Sequence, residues 1–212
     1  ALVDPELTVT LPEDVTAFTG IDTLAHAVES FTNKFAQPFI DTFALQAIRL
    51  VGENLVRAVQ HGEDKEARYN MAMASVYGGL CLGSVNTTAV HALAYPLGGT
   101  FHVPHGVANS LLLPYVMEFN LESRIEKYGA VAKALGADTA GLSNEKAAAA
   151  SVEMVKKLSK EVAIATHMRE LDIPEDAIDS MAEAALKVTR LLNNNPRKVE
   201  LEDAKQIYRN AY

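Results

Sequence analysis

The stretch Thr19–Ser30 reads TGIDTLAHAVES. It reads as a helix, and the four-residue interval from Asp22 to His26 puts both side chains on one helical face, one turn apart, where they can grip the same ion. A second stretch, Val90–Asn109, reads VHALAYPLGGTFHVPHGVAN and carries His91 and His105. Pro96, Gly98, Gly99 and Pro104 lie between those two histidines and let the chain turn back, so that the second can approach the first. The pattern predicts a short helix, a turn, and a new helix with Pro104 at its first position. Three imidazoles and one carboxylate form a borderline donor set suited to Fe(II) or Zn(II), unlike the all-oxygen cages of calcium or magnesium.

Helical patterns continue outward from these two runs. Pro12 followed by Glu13 and Asp14 reads as the entrance of the helix that carries Asp22 and His26, which fades near Asn33. After Pro38, residues Phe43, Ala47, Val51, Leu55 and Val59 recur at helical spacing and stop before Gly62. The acidic stretch 62–66 opens a third helix, with Ala67, Met71, Ala74 and Gly78 on one face. Met71 and Met73 read as core packing rather than as cofactor contacts. The run after Pro104 is apolar nearly all round, which predicts deep burial. Further amphipathic segments follow: one ending at Gly136, one opening at Ser143, one after Pro174, and LEDAKQIYRNAY at 201–212. Strand-like alternation is confined to Leu7–Leu11. The expected fold is therefore all-α, with a residual strand at the N-terminus.

Composition narrows the function. The 212 residues suffice for one good-sized domain, and a 49% hydrophobic content marks it as globular. A net charge of −8, without lysine or arginine clusters, argues against nucleic acid or an anionic membrane as partner. No apolar run approaches the roughly 20 residues of a membrane span. The single cysteine, Cys81 in GGLCLGS, reads as a buried filler and fits a reducing cytoplasm. His61 and His167 lie in polar helix-end contexts and read as surface residues.

The text around the four candidate ligands is informative as well. The run T-G-I-D-T-L-A-H-A-V-E resembles the metal-binding helix of the iron-containing (group III) alcohol dehydrogenases, and H-A-L-A-Y-P-L-G-G-x-F-H-V-P-H-G-V-A-N resembles that family's second signature. DPEL and P-x-x-V-T-A near the start, with N-N-P-R and I-Y-x-x-A near the end, extend the resemblance over essentially the whole chain. It implies a multi-helix, dehydroquinate synthase-like C-terminal domain over residues 13–212. Residues 1–12 would be a strand or linker remaining from an N-terminal nucleotide-binding domain. The implied metal ligands are Asp22, His26, His91 and His105, holding Fe(2+), with Zn(2+) as the alternative. The implied activity is reversible, NAD(P)-linked oxidation of an alcohol to an aldehyde or ketone, by an enzyme that forms homo-oligomers. Many members carry a second histidine four residues after the third ligand, where this chain has Tyr95. Tyr95 and the nearby His102 are the candidate catalytic contacts to a small alcohol or aldehyde substrate, with aromatic packing beside Pro96 the competing role for Tyr95.

A dehydrogenase must also hold a dinucleotide, and the sequence contains no G-x-G-x-x-G run after a strand and no βαβ alternation. NAD(P) binding is therefore expected only with the N-terminal domain, and the chain by itself is expected to be inactive. Two other readings stand beside this one: a zinc-dependent relative of the glycerol dehydrogenase type, and a non-enzymatic helical module with a structural metal. The Asp-x-x-x-His helix favours the iron-dependent enzyme over the first of these.

Overall fold

Helix α1 (Glu13–Thr32) begins directly after Pro12, with Glu13 and Asp14 at the positive end of its dipole. The computed structural model describes residues 2–212. Helices α2 (Pro38–Gln60) and α3 (Lys65–Ser84) follow, the first opened by a proline and the second capped by the Asp64 side chain, which accepts the Ala67 N–H at 3.0 Å. Next come α4 (Ala89–Phe101), α5 (His105–Asn120), α6 (Ile125–Ala134) and α7 (Asn144–Glu161). The series closes with α8 (Ile178–Leu186), α9 (Thr189–Leu192) and α10 (Leu201–Asn210). Short 3-10 segments fill several of the connections.

Helices α1, α2 and α3 pack against one another, and α4 packs against α5 and α8. Helix α5 bridges the two groups by contacting both α1 and α4, and it also packs against α7. The shared core contains Ile21, Leu24, Leu55, Leu93, Leu97 and Leu111–Leu113, all fully buried. Each such side chain contributes about 1.5–3 kcal/mol of hydrophobic stabilisation, so burial rather than helix propensity holds the bundle together. As its sequence predicts, α5 is buried along most of its length.

Two expectations fail. The strand expected near the N-terminus is absent: among the described residues there is none, and Pro5–Thr8 forms one turn of 3-10 helix. Asp4 caps that turn by accepting the Glu6 N–H at 3.0 Å, and Pro5 supplies its fixed φ. Leu7 points to solvent, and no neighbouring strand is present to pair with, so alternation alone cannot make a sheet edge. Ala1 lies outside the described residues.

The second failure concerns Val90–Asn109. Helix α4 runs unbroken through Pro96, Gly98 and Gly99. The reversal occurs later, at His102, which adopts the left-handed conformation with φ 57°. Its N–H donates to the Gly98 carbonyl, the single bond of an αL C-cap, and the Val103 N–H reaches the Leu97 carbonyl beside it, which closes the helix. Glycine usually occupies such a position, and a histidine there costs roughly 1 kcal/mol. Extended backbone at Pro104 then launches α5, with His105 as its first residue.

Two contacts fix these helices from afar. Tyr208 of α10 is fully buried and donates its hydroxyl to the Leu93 carbonyl of α4 at 2.6 Å. Asn120 and Asn195 exchange reciprocal side-chain hydrogen bonds of 2.9 and 2.8 Å, tying the end of α5 to the loop before α10.

Candidate metal centre

Asp22 and His26 stand one turn apart on α1, His91 lies in the first turn of α4, and His105 opens α5. The packing of these three helices brings one donor atom from each residue to within 4.8 Å of the other three. Asp22 is the hub. Its carboxylate lies 3.8 Å from His26 Nε2, 3.6 Å from His91 Nε2 and 3.9 Å from His105 Nε2. The His26 and His91 rings stack at a centroid distance of 4.8 Å, and His105 tilts against His91 at 5.2 Å.

Exposure is graded across the cluster. The side chain of His91 is 5% exposed, Asp22 16%, His26 23% and His105 53%. One side is thus sealed by packing, and the His105 side opens to solvent. Burial, together with the charges of His91 and His105, pushes His26 below the ordinary histidine range, although the Asp22 carboxylate opposes this. Burial also acts against charge on His91, but the Glu29 carboxylate, by its charge and hydrogen bond, outweighs it and holds His91 above that range.

Two polar residues that sequence reasoning gave no role complete the arrangement. Glu29, buried on α1, accepts at 2.5 Å from His91 Nδ1. Asn109 of α5 donates at 2.7 Å to Asp22 Oδ1, and its amide nitrogen lies 3.0 Å from His105 Nε2. Each stands at a helical interval from one of the four clustered residues: Glu29 is three residues after His26, and Asn109 four after His105. Those intervals were visible in the sequence. The partner of Glu29 was not, because it lies 62 residues away.

The donor set fits a divalent transition ion. A neutral His91 that gives its Nδ1–H to Glu29 would present Nε2 to the cluster as a lone pair, and that buried atom has no hydrogen-bond partner. A buried imidazole nitrogen without a partner is costly, and a metal would satisfy it. A carboxylate behind a ligating histidine is the common second layer of such sites.

Tyr95, one turn beyond His91, is 43% exposed, with its ring centroid 6.5 Å from that of His105. It borders the open side of the cluster. His102 is exposed at the end of α4, roughly 10 Å along the helix axis from Tyr95, and does not join the four. His61 is exposed, whereas His167 is half-buried and caps a 3-10 turn. Cys81 is fully buried, as its apolar surroundings suggest. Met71 and Met73 pack against the core, and Met71 also lines a groove of about 330 Å³ between α1 and α3 that reaches Thr23, the residue after Asp22. No helix among the described residues is long and apolar enough to cross a membrane.

Comparison with known proteins decides the family. The Fe-containing alcohol dehydrogenase family, C-terminal, matches residues 16–212. This chain belongs to that family. Members of the iron-containing alcohol dehydrogenase family with similar sequences include the 1,3-propanediol dehydrogenase of Citrobacter freundii, 42% identical over 99% of this chain and 54% of that protein. The long-chain-alcohol dehydrogenase 1 of Geobacillus thermodenitrificans is 41% identical over 100% of this chain and 54% of its own length. The chain therefore spans about half the length of the curated family members it matches. Its helical fold superposes on a crystal structure of a 1,3-propanediol oxidoreductase with a TM-score of 0.97 and 41% identity, covering 99% of this chain and 55% of that one. A sulfoacetaldehyde reductase from Bifidobacterium kashiwanohense, solved in complex with NAD+, matches with a TM-score of 0.86 and 31% identity over 99% of this chain and 53% of that chain.

Proposed function

We propose that this chain is the metal-holding helical half of an NAD(P)-linked alcohol dehydrogenase, with Asp22, His26, His91 and His105 as ligands to Fe(II), or to zinc in its place. The observation that carries the reading is the convergence of four donor atoms from three helices within 4.8 Å, around the unpartnered Nε2 of His91. A divalent ion held there supplies Lewis-acid polarisation of an alcohol or carbonyl oxygen.

The residues of the chain provide the rest. Asp22 and the three imidazoles orient and retain the ion, and the exposed His105 side leaves room for a small alcohol or aldehyde to approach. Tyr95 borders that open side, where its hydroxyl can donate a hydrogen bond to a substrate oxygen; His102 is assigned to the rim. The sealed His91 side excludes water behind the ion. A closed structural site would bury all four ligands, so the 53% exposure of His105 favours the catalytic reading over a purely structural metal.

The dinucleotide is assigned to protein outside these residues. The described helices offer no strand–turn–helix to cradle a pyrophosphate, and the curated relatives are nearly twice as long. Elemental analysis of the purified chain, paired with calorimetric titration of NAD+ and NADP+, tests the assignment. About one Fe or Zn per chain with no dinucleotide uptake is expected. Absence of metal after anaerobic Fe(II) or Zn(II) loading refutes the ligand set, and tight dinucleotide binding refutes the division of labour.

A further inference from the structure

Glu29 has a density of contacts that a packing residue does not need. It is 2% exposed, on α1, one turn beyond His26. Its Oε1 accepts three hydrogen bonds from the start of α4: the Thr88 N–H at 3.0 Å, the Thr88 hydroxyl at 2.7 Å and the Val90 N–H at 2.8 Å. Its Oε2 faces His91 Nδ1 at 2.5 Å. The four contacts occupy both oxygens. Because two of the three donors on Oε1 are backbone amides, the carboxylate cannot rotate without stranding them.

We propose that Glu29 is the positioning residue of the metal centre: it caps α4 from α1 and, with its other oxygen, fixes the proton of His91 on Nδ1 so that Nε2 faces the ion. Thr88 makes no side-chain capping bond to its own helix, so Glu29 supplies from another helix the acceptor that an N-terminal turn requires. The same carboxylate therefore sets both where α4 begins and which nitrogen its first-turn histidine offers. This role rests on the metal site proposed above, and the experiment separates the two.

Glu29→Gln makes the idea testable because the change is nearly isosteric. The amide oxygen must face Thr88 and Val90, whose backbone groups can only donate. The NH2 group is then forced toward His91 Nδ1, where it can only donate. His91 must answer with Nδ1 as acceptor, which moves its proton to Nε2, onto the atom needed by the metal. Zn(II) affinity of the full chain, measured by competition with a chromophoric chelator, is expected to fall about 10–100-fold in Glu29→Gln while the helical circular dichroism is retained. Nitrogen-15 NMR of the histidine rings in Zn(II)-loaded wild-type protein is expected to show a slowly exchanging proton on Nδ1 of His91.

If wild-type protein takes up no Zn(II), the metal site itself is refuted. If the wild type binds Zn(II) and a folded Glu29→Gln binds it equally well, the positioning role is refuted while the site stands. Should Glu29→Gln fail to fold, the wild-type spectrum decides: a His91 proton on Nε2, or coordination through Nδ1, overturns the role.

Discussion

Gly106 is pressed against the backbone of Phe18: a Cβ at Gly106 would lie 2.7 Å from the Phe18 ring and 2.9 Å from its carbonyl oxygen. Such approaches are closer than van der Waals contact allows, so only glycine lets α5 lie this near α1. The contact falls one residue after His105 and one turn before Asp22, which makes it the hinge pin of the metal centre. Gly106→Ala should force the helices apart, costing about 1–3 kcal/mol and separating His105 from Asp22. The expected readout is a melting temperature lowered by roughly 2–10 °C together with weakened Zn(II) uptake. Gly79→Ala is the matched control. Its Cβ would meet nothing within 4 Å on α3, so it should leave metal uptake unchanged and raise stability by about 0.5–1 kcal/mol. Equal behaviour of the two variants would show that the close approach is not required.

Removing ligands should have unequal effects. Asp22 faces all three imidazoles, and His91 is the most buried of the four. Asp22→Ala and His91→Ala should each lose most of the bound metal by elemental analysis, and full stoichiometry in either variant would exclude these residues as ligands. His105→Ala removes the most exposed donor and should retain measurable, weaker binding.

The metal should also act as a staple between α1, α4 and α5. With free Zn(II) near 100 times its Kd, stability rises by about 2.7 kcal/mol, which corresponds to a melting shift of roughly 5–10 °C for a chain of this size. Calorimetric scans with and without a strong chelator measure this directly. No shift on chelation would mean that the ion does not bridge the three helices.

Cys81 gives a pH-dependent prediction away from the metal centre. Burial, aided by the charge of Asp41, pushes its thiol up to about 11. An acid raised in the folded state favours folding through its neutral form. That contribution is complete below the ordinary thiol pKa of about 8.5 and is lost as pH climbs from there toward 11. At pH 8 only roughly one thiol in a thousand is ionised, so a disulfide reagent should label native protein far more slowly than protein unfolded in guanidinium. Equal labelling rates would contradict the burial.

The NNPR run finds its physical role in the Asn120–Asn195 pair. Asn195→Ala would leave the buried Asn120 amide without its partner, and should cost about 1–3 kcal/mol in denaturant unfolding without altering metal stoichiometry. A double-mutant cycle with Asn120→Ala should show coupling, since either single change already strands the other side chain.

Much of this architecture was legible in the chain. The Asp22–His26 interval and the proline at 38 are local signals, and local signals survive folding. The approach of His105 to His91 was read from the prolines and glycines between them, but their convergence on Asp22 drew its support from the resemblance to a family, because helical periodicity carries no information about which helices meet. Glycine and proline misled between residues 96 and 104. Burial of Ala89–Ala94, Pro96 and Leu97 carries α4 through the proline, the helix continues across the two glycines at its more exposed end, and a histidine makes the turn instead. Leu7–Leu11 misled for the opposite reason, as alternation without a neighbouring strand has nothing to hydrogen-bond. Glu29 was in plain view at a helical interval from His26, yet its partners lie on α4, about sixty residues on.

The bond from Tyr208 to Leu93 spans 115 residues of sequence. During synthesis at about 5–20 residues per second, Leu93 of α4 leaves the ribosome roughly 6–23 s before the residue that pins it from behind, and α1 leaves earlier still. For that interval the ligand helices exist without their brace. A site whose four donors come from three helices has no fixed geometry until that brace is in place, so the shape of the cluster is a property of the finished bundle rather than of the helices that carry it.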